Sequence, residues 1–141
     1  MTRAPQRRAL LAAALAWPLA LLRAQPARPA GKVPRIGYLS NGSPVTHAHL
    51  IEEFRQGVRE LGWRDGQNVD IEYRFAEGQV ERLPALASQL VAERVDLIVA
   101  VPTAAAVAAR KATASIPIVA ISVGDPVRLG LAVSLAHPGA N

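Results

Sequence analysis

The 141-residue sequence contains no cysteine. That excludes a disulfide, a thiolate nucleophile, a cysteine-ligated metal and the lipid-modified cysteine of a lipoprotein. Aromatic residues are few, two each of Trp, Tyr and Phe, which leaves little with which to stack nucleobases. The apolar run Ala9 to Leu22 carries no charge but is only 14 residues long, short of the ~20 that span a bilayer. The glycine signatures of dinucleotide and nucleotide-phosphate sites and the G-x-S-x-G nucleophile turn are absent. Where a dinucleotide fold would place its glycines, the chain reads Ser40-Asn41-Gly42-Ser43-Pro44. A phospho-receiver needs acids at the ends of its early strands, and the first strand here ends in Leu39-Ser40. His47 and His49, two apart at a helix start, do not share a face, and only His137 joins them, so no metal set and no cofactor site are expected. Nothing activates a nucleophile, and catalysis is not expected.

What is present is enough chain for one domain with its own core. Half of the residues are hydrophobic and the formal charge is +5. Four basic residues (Arg3, Arg7, Arg8 and Arg23) lie in the first 24 positions, leaving 12 basic against 11 acidic beyond them. A chain that is nearly neutral after its amino-terminal segment, with its charges mixed in sign, does not read as a nucleic-acid binder. Arginines, an apolar run and then Arg23-Ala24 have the order of a secretory signal. The expectation is a signal peptide over residues 1–24, cleaved after Ala24, with a retained anchor as the alternative. Arg7-Arg8 hints at twin-arginine export, although the flanking serine and phenylalanine of that signal are missing, so the Sec route stays equally open. Residues 25–34 hold three prolines and no periodicity, and read as an extended linker.

From there strands and helices alternate. Arg35 to Leu39 predicts a first strand, ending in the hydroxyl-rich loop Ser40 to Pro44. Leu50, Ile51, Phe54, Val58 and Leu61 recur at helical spacing from about Thr46, and Gly62 stops the helix. Asn68 to Phe75 alternates apolar and charged residues, the pattern of a half-exposed edge strand. Leu83, Leu86, Ala87, Leu90 and Val91 mark the inner face of a second helix with Pro84 in its first turn. Val95 to Val101 is apolar on both faces and predicts the central strand, followed by a helix over 103–113 that Thr103 should cap. Ile118 to Ile121 predicts a fourth strand, with Asp125 as N-cap and Pro126 as first residue of a fourth helix. The sum is α/β, an open parallel sheet of Rossmann-like type with helices on both faces, in the order βαβαβαβα.

Ligands in such sheets bind beyond the carboxyl ends of the strands. Three loops gather there and nominate Ser40, Asn41, Ser43, Thr103, Ala104, Ser122 and Asp125 as ligand-binding residues. Their hydroxyls, the Asn41 amide and the backbone N–H groups behind Thr103 suit a small carboxylate. For Ser40 and Asn41 the competing role is turn chemistry, and for Thr103 and Asp125 it is helix capping.

Several short motifs in order carry a resemblance. Arg35-Ile36-Gly37-Tyr38-Leu39-Ser40, Phe54-Arg55-Gln56-Gly57, Leu61-Gly62-Trp63 and Gly66-Gln67-Asn68-Val69 open it. Ile71-Glu72-Tyr73-Arg74, Arg82-Leu83-Pro84-Ala85-Leu86-Ala87, Ile116-Pro117-Ile118-Val119, Gly124-Asp125-Pro126-Val127 and Ser134-Leu135-Ala136-His137-Pro138-Gly139 continue it. Together they resemble bacterial ABC-transporter substrate-binding proteins, the group that includes tryptophan- and tyrosine-type binding proteins. The resemblance implies a type I periplasmic-binding-protein lobe over residues 35–141, the amino-terminal half of a two-lobed clamp whose second lobe is missing here. It further implies a periplasmic location, a small-molecule solute (an amino acid among the options) and an ABC permease as partner. A ligand-sensing domain of the same fold and a truncated remnant are the alternatives.

Overall fold

Four segments have the extended, β-branched or aromatic character that suits a pleated sheet, and they form strands β1 (Arg35–Ser40), β2 (Asp70–Phe75), β3 (Leu97–Val101) and β4 (Ile118–Ala120). Every pairing is parallel and the spatial order is β2-β1-β3-β4. Helices α1 (Ala48–Glu60), α2 (Leu83–Ala92) and α3 (Thr103–Ala112) make the crossovers, with a 3-10 turn over Val80–Arg82 leading into α2. This architecture comes from a computed structural model that describes residues 31–137 and Gly139; the expected signal segment and residues 25–30 of the linker lie outside the described residues.

The two faces of the sheet bury different partners, which explains why β3 is apolar throughout. Ile98 and Ala100 face Leu83, Leu86, Ala87 and Leu90 of α2 and the alanines 105, 106, 108 and 109 of α3. Val99 and Val101 face the other way, with Tyr38, beneath Ile51 and Phe54 of α1. Gly37 of β1 leaves a slot under α2: a Cβ there would lie 2.9 Å from both terminal carbons of Leu90. Asp96 fastens the start of the sheet, its Oδ2 accepting from the Arg35 N–H at 2.9 Å and its Oδ1 from Lys32 Nζ at 2.8 Å. Those bonds hold its carboxyl below the usual range.

On the α1 side, Tyr38 lies fully buried, with its ring 5.2 Å from Phe54 and 5.5 Å from Tyr73. Its hydroxyl has no hydrogen-bond partner among the described residues. Burial pushes its pKa up, with Tyr73 adding to the shift. A buried hydroxyl without a partner forfeits its hydration for nothing, so Tyr38→Phe should raise stability by about 1 kcal/mol. The check is urea unfolding, where the midpoint should rise at constant slope; a fall would mean the hydroxyl has a partner.

The strands and first three helices stand where the pattern places them, with differences at the ends. Ser43 and Thr46 exchange hydrogen bonds (Ser43 N–H to Thr46 Oγ1 at 2.9 Å, Thr46 N–H to Ser43 Oγ at 3.0 Å) and make a separate turn, so α1 starts at Ala48. Leu61, expected on the inner face, follows the last helical residue and is 75% exposed. The fourth helix does not form. Asp125 caps as expected, its Oδ1 accepting from the N–H groups of Val127 and Arg128 at 3.0 and 3.2 Å. Only a turn follows, and Gly130 breaks it at φ 67°. No helix among the described residues is long and apolar enough to cross a membrane.

Candidate functional site

Parallel strands deliver all their carboxyl ends to one edge, and the register brings those ends level. Ser40 pairs with Phe75 on one side and with Val101 on the other, while Ala100 pairs with Ala120. The loops beyond are then stitched together. The Asn41 N–H donates to the Val101 carbonyl at 3.1 Å and the Ile121 N–H to the Ala100 carbonyl at 2.9 Å. The Gly124 N–H donates to Thr103 Oγ1 at 3.1 Å, tying the loop after β4 to the start of α3. The expected three loops do lie side by side.

A fourth loop, which the sequence pattern did not single out, completes this rim. After β2 the chain folds back on the first loop: the N–H groups of Ala76, Glu77 and Gly78 donate to the carbonyls of Ser40, Gly42 and Asn41 at 2.9, 3.0 and 2.7 Å. Glu77 and Gly78 both take left-handed backbone (φ 55° and 80°) to make the return. The signal for it was the Glu77-Gly78 pair directly after an alternating strand.

The nominated residues divide by what their side chains already do. The Ser40 hydroxyl is fully buried, 2.7 Å from His47 Nδ1, and accepts from the Gly42 N–H at 3.2 Å, so it lies beneath the rim. The capping role expected of Thr103 is corrected. The N-cap position belongs to Pro102 with no side-chain cap, Thr103 is the first helical residue, and its Oγ1 serves Gly124 instead. The reason is local: the Pro102 carbonyl takes the N–H groups of Ala105 and Ala106 at 3.0 and 3.2 Å, so the helix opens on proline's own backbone. The amides of Thr103 and Ala104 lie in that first turn, ahead of the helix's internal ladder. The Ser43 hydroxyl is engaged with Thr46, and Asp125 with its own turn. The Asn41 side-chain amide and the exposed Ser122, at φ 56°, make no side-chain hydrogen bond among the described residues.

Sequence reasoning weighed His47 as a metal ligand and set it aside. Its place is structural: the ring packs on Gly42, where a Cβ would come within 2.6–2.7 Å of the ring atoms, and it holds Ser40 from above. The histidine thus shapes the first loop of the rim. Among the described residues no three His, Asp or Glu side chains gather as a metal would require.

Comparison with known proteins gives a consistent picture. The family described as ABC transporter substrate binding protein matches residues 44–141. A tyrosine-binding protein of Clostridioides difficile (strain R20291) is 39% identical over 88 residues, which cover 62% of this chain and 26% of that protein. Among solved structures, a ligand-free, open substrate-binding protein with adhesive properties from Clostridium difficile superposes with a TM-score of 0.72 at 32% identity, covering 77% of this chain and 37% of that one. The ABC domain in complex with L-Trp from Streptococcus pneumonia gives a TM-score of 0.72 at 30% identity over 78% of this chain and 37% of that one. The chain therefore spans well under half the length of the relatives it matches.

Proposed function

Because the chain belongs to the ABC transporter substrate binding protein family, we propose that it forms one jaw of an extracytoplasmic clamp that passes a small organic solute to an ABC permease without chemistry. The observation that carries this reading is the rim of four level loops beyond the carboxyl ends of parallel strands, the edge where open α/β sheets hold ligands. A tyrosine-binding relative and a neighbour solved with L-Trp support an amino acid as the solute class. In this reading the solute's carboxylate meets the first-turn amides of Thr103 and Ala104, the Thr103 hydroxyl and the Asn41 side-chain amide, with Ser122 at the edge. Ser40, Ser43 and Asp125 hold the loops in place. A charge at a helix start contributes about 0.3–1 kcal/mol when exposed and about 2 when partly buried, a scale that fits reversible capture. Closure belongs to a second lobe facing this rim, and residues 1–24 would direct export.

One jaw lacks half of the contacts, so its affinity should be low. Titration of the chain with L-tyrosine or L-tryptophan, followed by amide chemical shifts, should give a Kd of about 1 mM. The shifts should centre on Asn41, Thr103, Ala104 and Ser122, and Asn41→Ala should weaken binding several-fold. Submicromolar affinity would overturn the two-jaw reading, and shifts confined to residues away from the rim would overturn the site.

A further inference from the structure

At the other end of the sheet, near the amino terminus of β2, the last turns of α1 and the loop after it enclose a concavity of about 370 Å3. Three arginines line it: Arg55 and Arg59, one helical turn apart on α1, and Arg64 from the loop. The loop that brings Arg64 there is fixed at several points. Asn68 Oδ1 accepts from the Arg64 N–H at 2.6 Å and Asn68 Nδ2 donates to the Gly62 carbonyl at 3.0 Å. Asp65 is the one acid in the lining, and its Oδ1 is occupied by the Ile71 N–H at 2.9 Å. Arg55 gives only its Nε to Tyr73 Oη, at 3.0 Å, and Arg59 gives Nη2 to Glu52, at 2.7 Å. The Arg64 guanidinium makes no hydrogen bond or ion pair among the described residues. With Glu52 already paired to Arg59, three cations are set against two acids around a space large enough for a ligand, and guanidinium donors are still available on each.

We propose that this concavity is a second binding site, independent of the rim, for a phosphate-bearing ligand. A phosphate meets the remaining positive charge, and its tetrahedral oxygens match the paired donors of guanidinium forks. Val58 and Trp63 supply an apolar wall for the organic group that the phosphate carries. The phosphate can come from a soluble monoester or from an anionic lipid headgroup, and the chemistry of recognition is the same.

The test uses Trp63 as reporter. The chain has two tryptophans, Trp17 and Trp63, so the full chain carrying Trp17→Phe reports from the concavity alone. Its emission is titrated at low ionic strength with inorganic phosphate, with glycerol 3-phosphate and with vesicles of phosphatidylcholine with or without phosphatidic acid. A saturable change is expected with the two soluble phosphates, with the acidic vesicles, or with both, and the pattern identifies the source. Arg59→Gln and Arg64→Gln should each weaken it about tenfold, as expected for the loss of one charge-assisted hydrogen bond, while Lys111→Gln on α3 leaves it unchanged. Thermal melts that coincide with the parent show that these variants are folded. A response no larger than that to sodium chloride of equal ionic strength would overturn the proposal. So would a response that both arginine substitutions leave intact.

Discussion

Leu90→Ala is expected to lower the stability of the folded chain by about 2–5 kcal/mol, in the upper half of that range. Leu90 is fully buried in the layer between the sheet and α2. It fills the slot above Gly37, so the floor of the cavity left by truncation is strand backbone, which cannot move in to close it. A domain of this size holds only about 5–15 kcal/mol in total, and a loss of that order should shift the urea midpoint strongly. Leu61→Ala, at an exposed position, should change stability by no more than about 0.5 kcal/mol. The slot also predicts coupling. Gly37→Ala alone should cost about 1–3 kcal/mol because its methyl meets Leu90, yet in the Leu90→Ala background that methyl enters vacated space. The double substitution should therefore cost clearly less than the sum of the singles; strict additivity would show that the two residues do not share the slot.

The same contact shows why so much of the fold was legible. Leu83, Leu86, Ala87 and Leu90 lie on one face of α2 at helical spacing, and all four are buried. The unbroken run in β3 required cover on both sides, and α1 on one face with α2 and α3 on the other provide it. The alternation in Asp70–Phe75 marked an edge strand, and β2 is at the edge of the sheet. What periodicity could not reach was where elements stop. Leu61 fits the spacing of α1, but the helix ends at Glu60 and the leucine turns outward. Asp125-Pro126 has the chemistry of a helix start and caps a turn as such residues do. Continuation, however, needs an apolar face with something to pack against. Val127, Leu129, Val133 and Leu135 remain exposed, and only a turn persists.

For the candidate site, topology was legible and side-chain commitments were not. Parallel strands force their following loops onto one edge, so Ser40, Thr103 and Ser122 were bound to come near one another once the strands were placed. Whether a hydroxyl points outward or serves its own loop depends on neighbours far in sequence or on a single backbone angle. Thr103 receives the Gly124 N–H from 21 residues away, and no local pattern encodes that. His47 reaches back seven residues to Ser40, across the end of a strand and a turn and not along a helix, so periodicity gives no cue to the pair. Residue types marked the rim as polar, and tertiary contacts then decided which of those polar groups remain available.

Ser40→Ala is the sharpest probe of that arrangement and should cost about 1–3 kcal/mol, much more than the loss of an exposed hydroxyl. The substitution removes the acceptor for the Gly42 N–H and the partner of His47 Nδ1. Gly42 is itself buried, so its amide is left without water as well as without a partner. The loop it belongs to carries the carbonyls that receive Ala76, Glu77 and Gly78. The damage should therefore spread: amide hydrogen exchange should quicken at Gly42, Glu77 and Gly78, while Ile98 and Ala100 in the sheet stay protected apart from the global loss. Gly42→Ala attacks the same contact from the opposite side, because its methyl displaces the His47 ring and leaves the serine in place. If the serine, glycine and histidine act as one clamp, combining Ser40→Ala with Gly42→Ala should add little to the worse single variant. A Ser40→Ala protein with unchanged loop exchange and a loss below about 0.5 kcal/mol would mean that the buried hydroxyl is a passive filler. The first loop of the rim would then be held by its backbone bonds to β3 and to the loop after β2 alone.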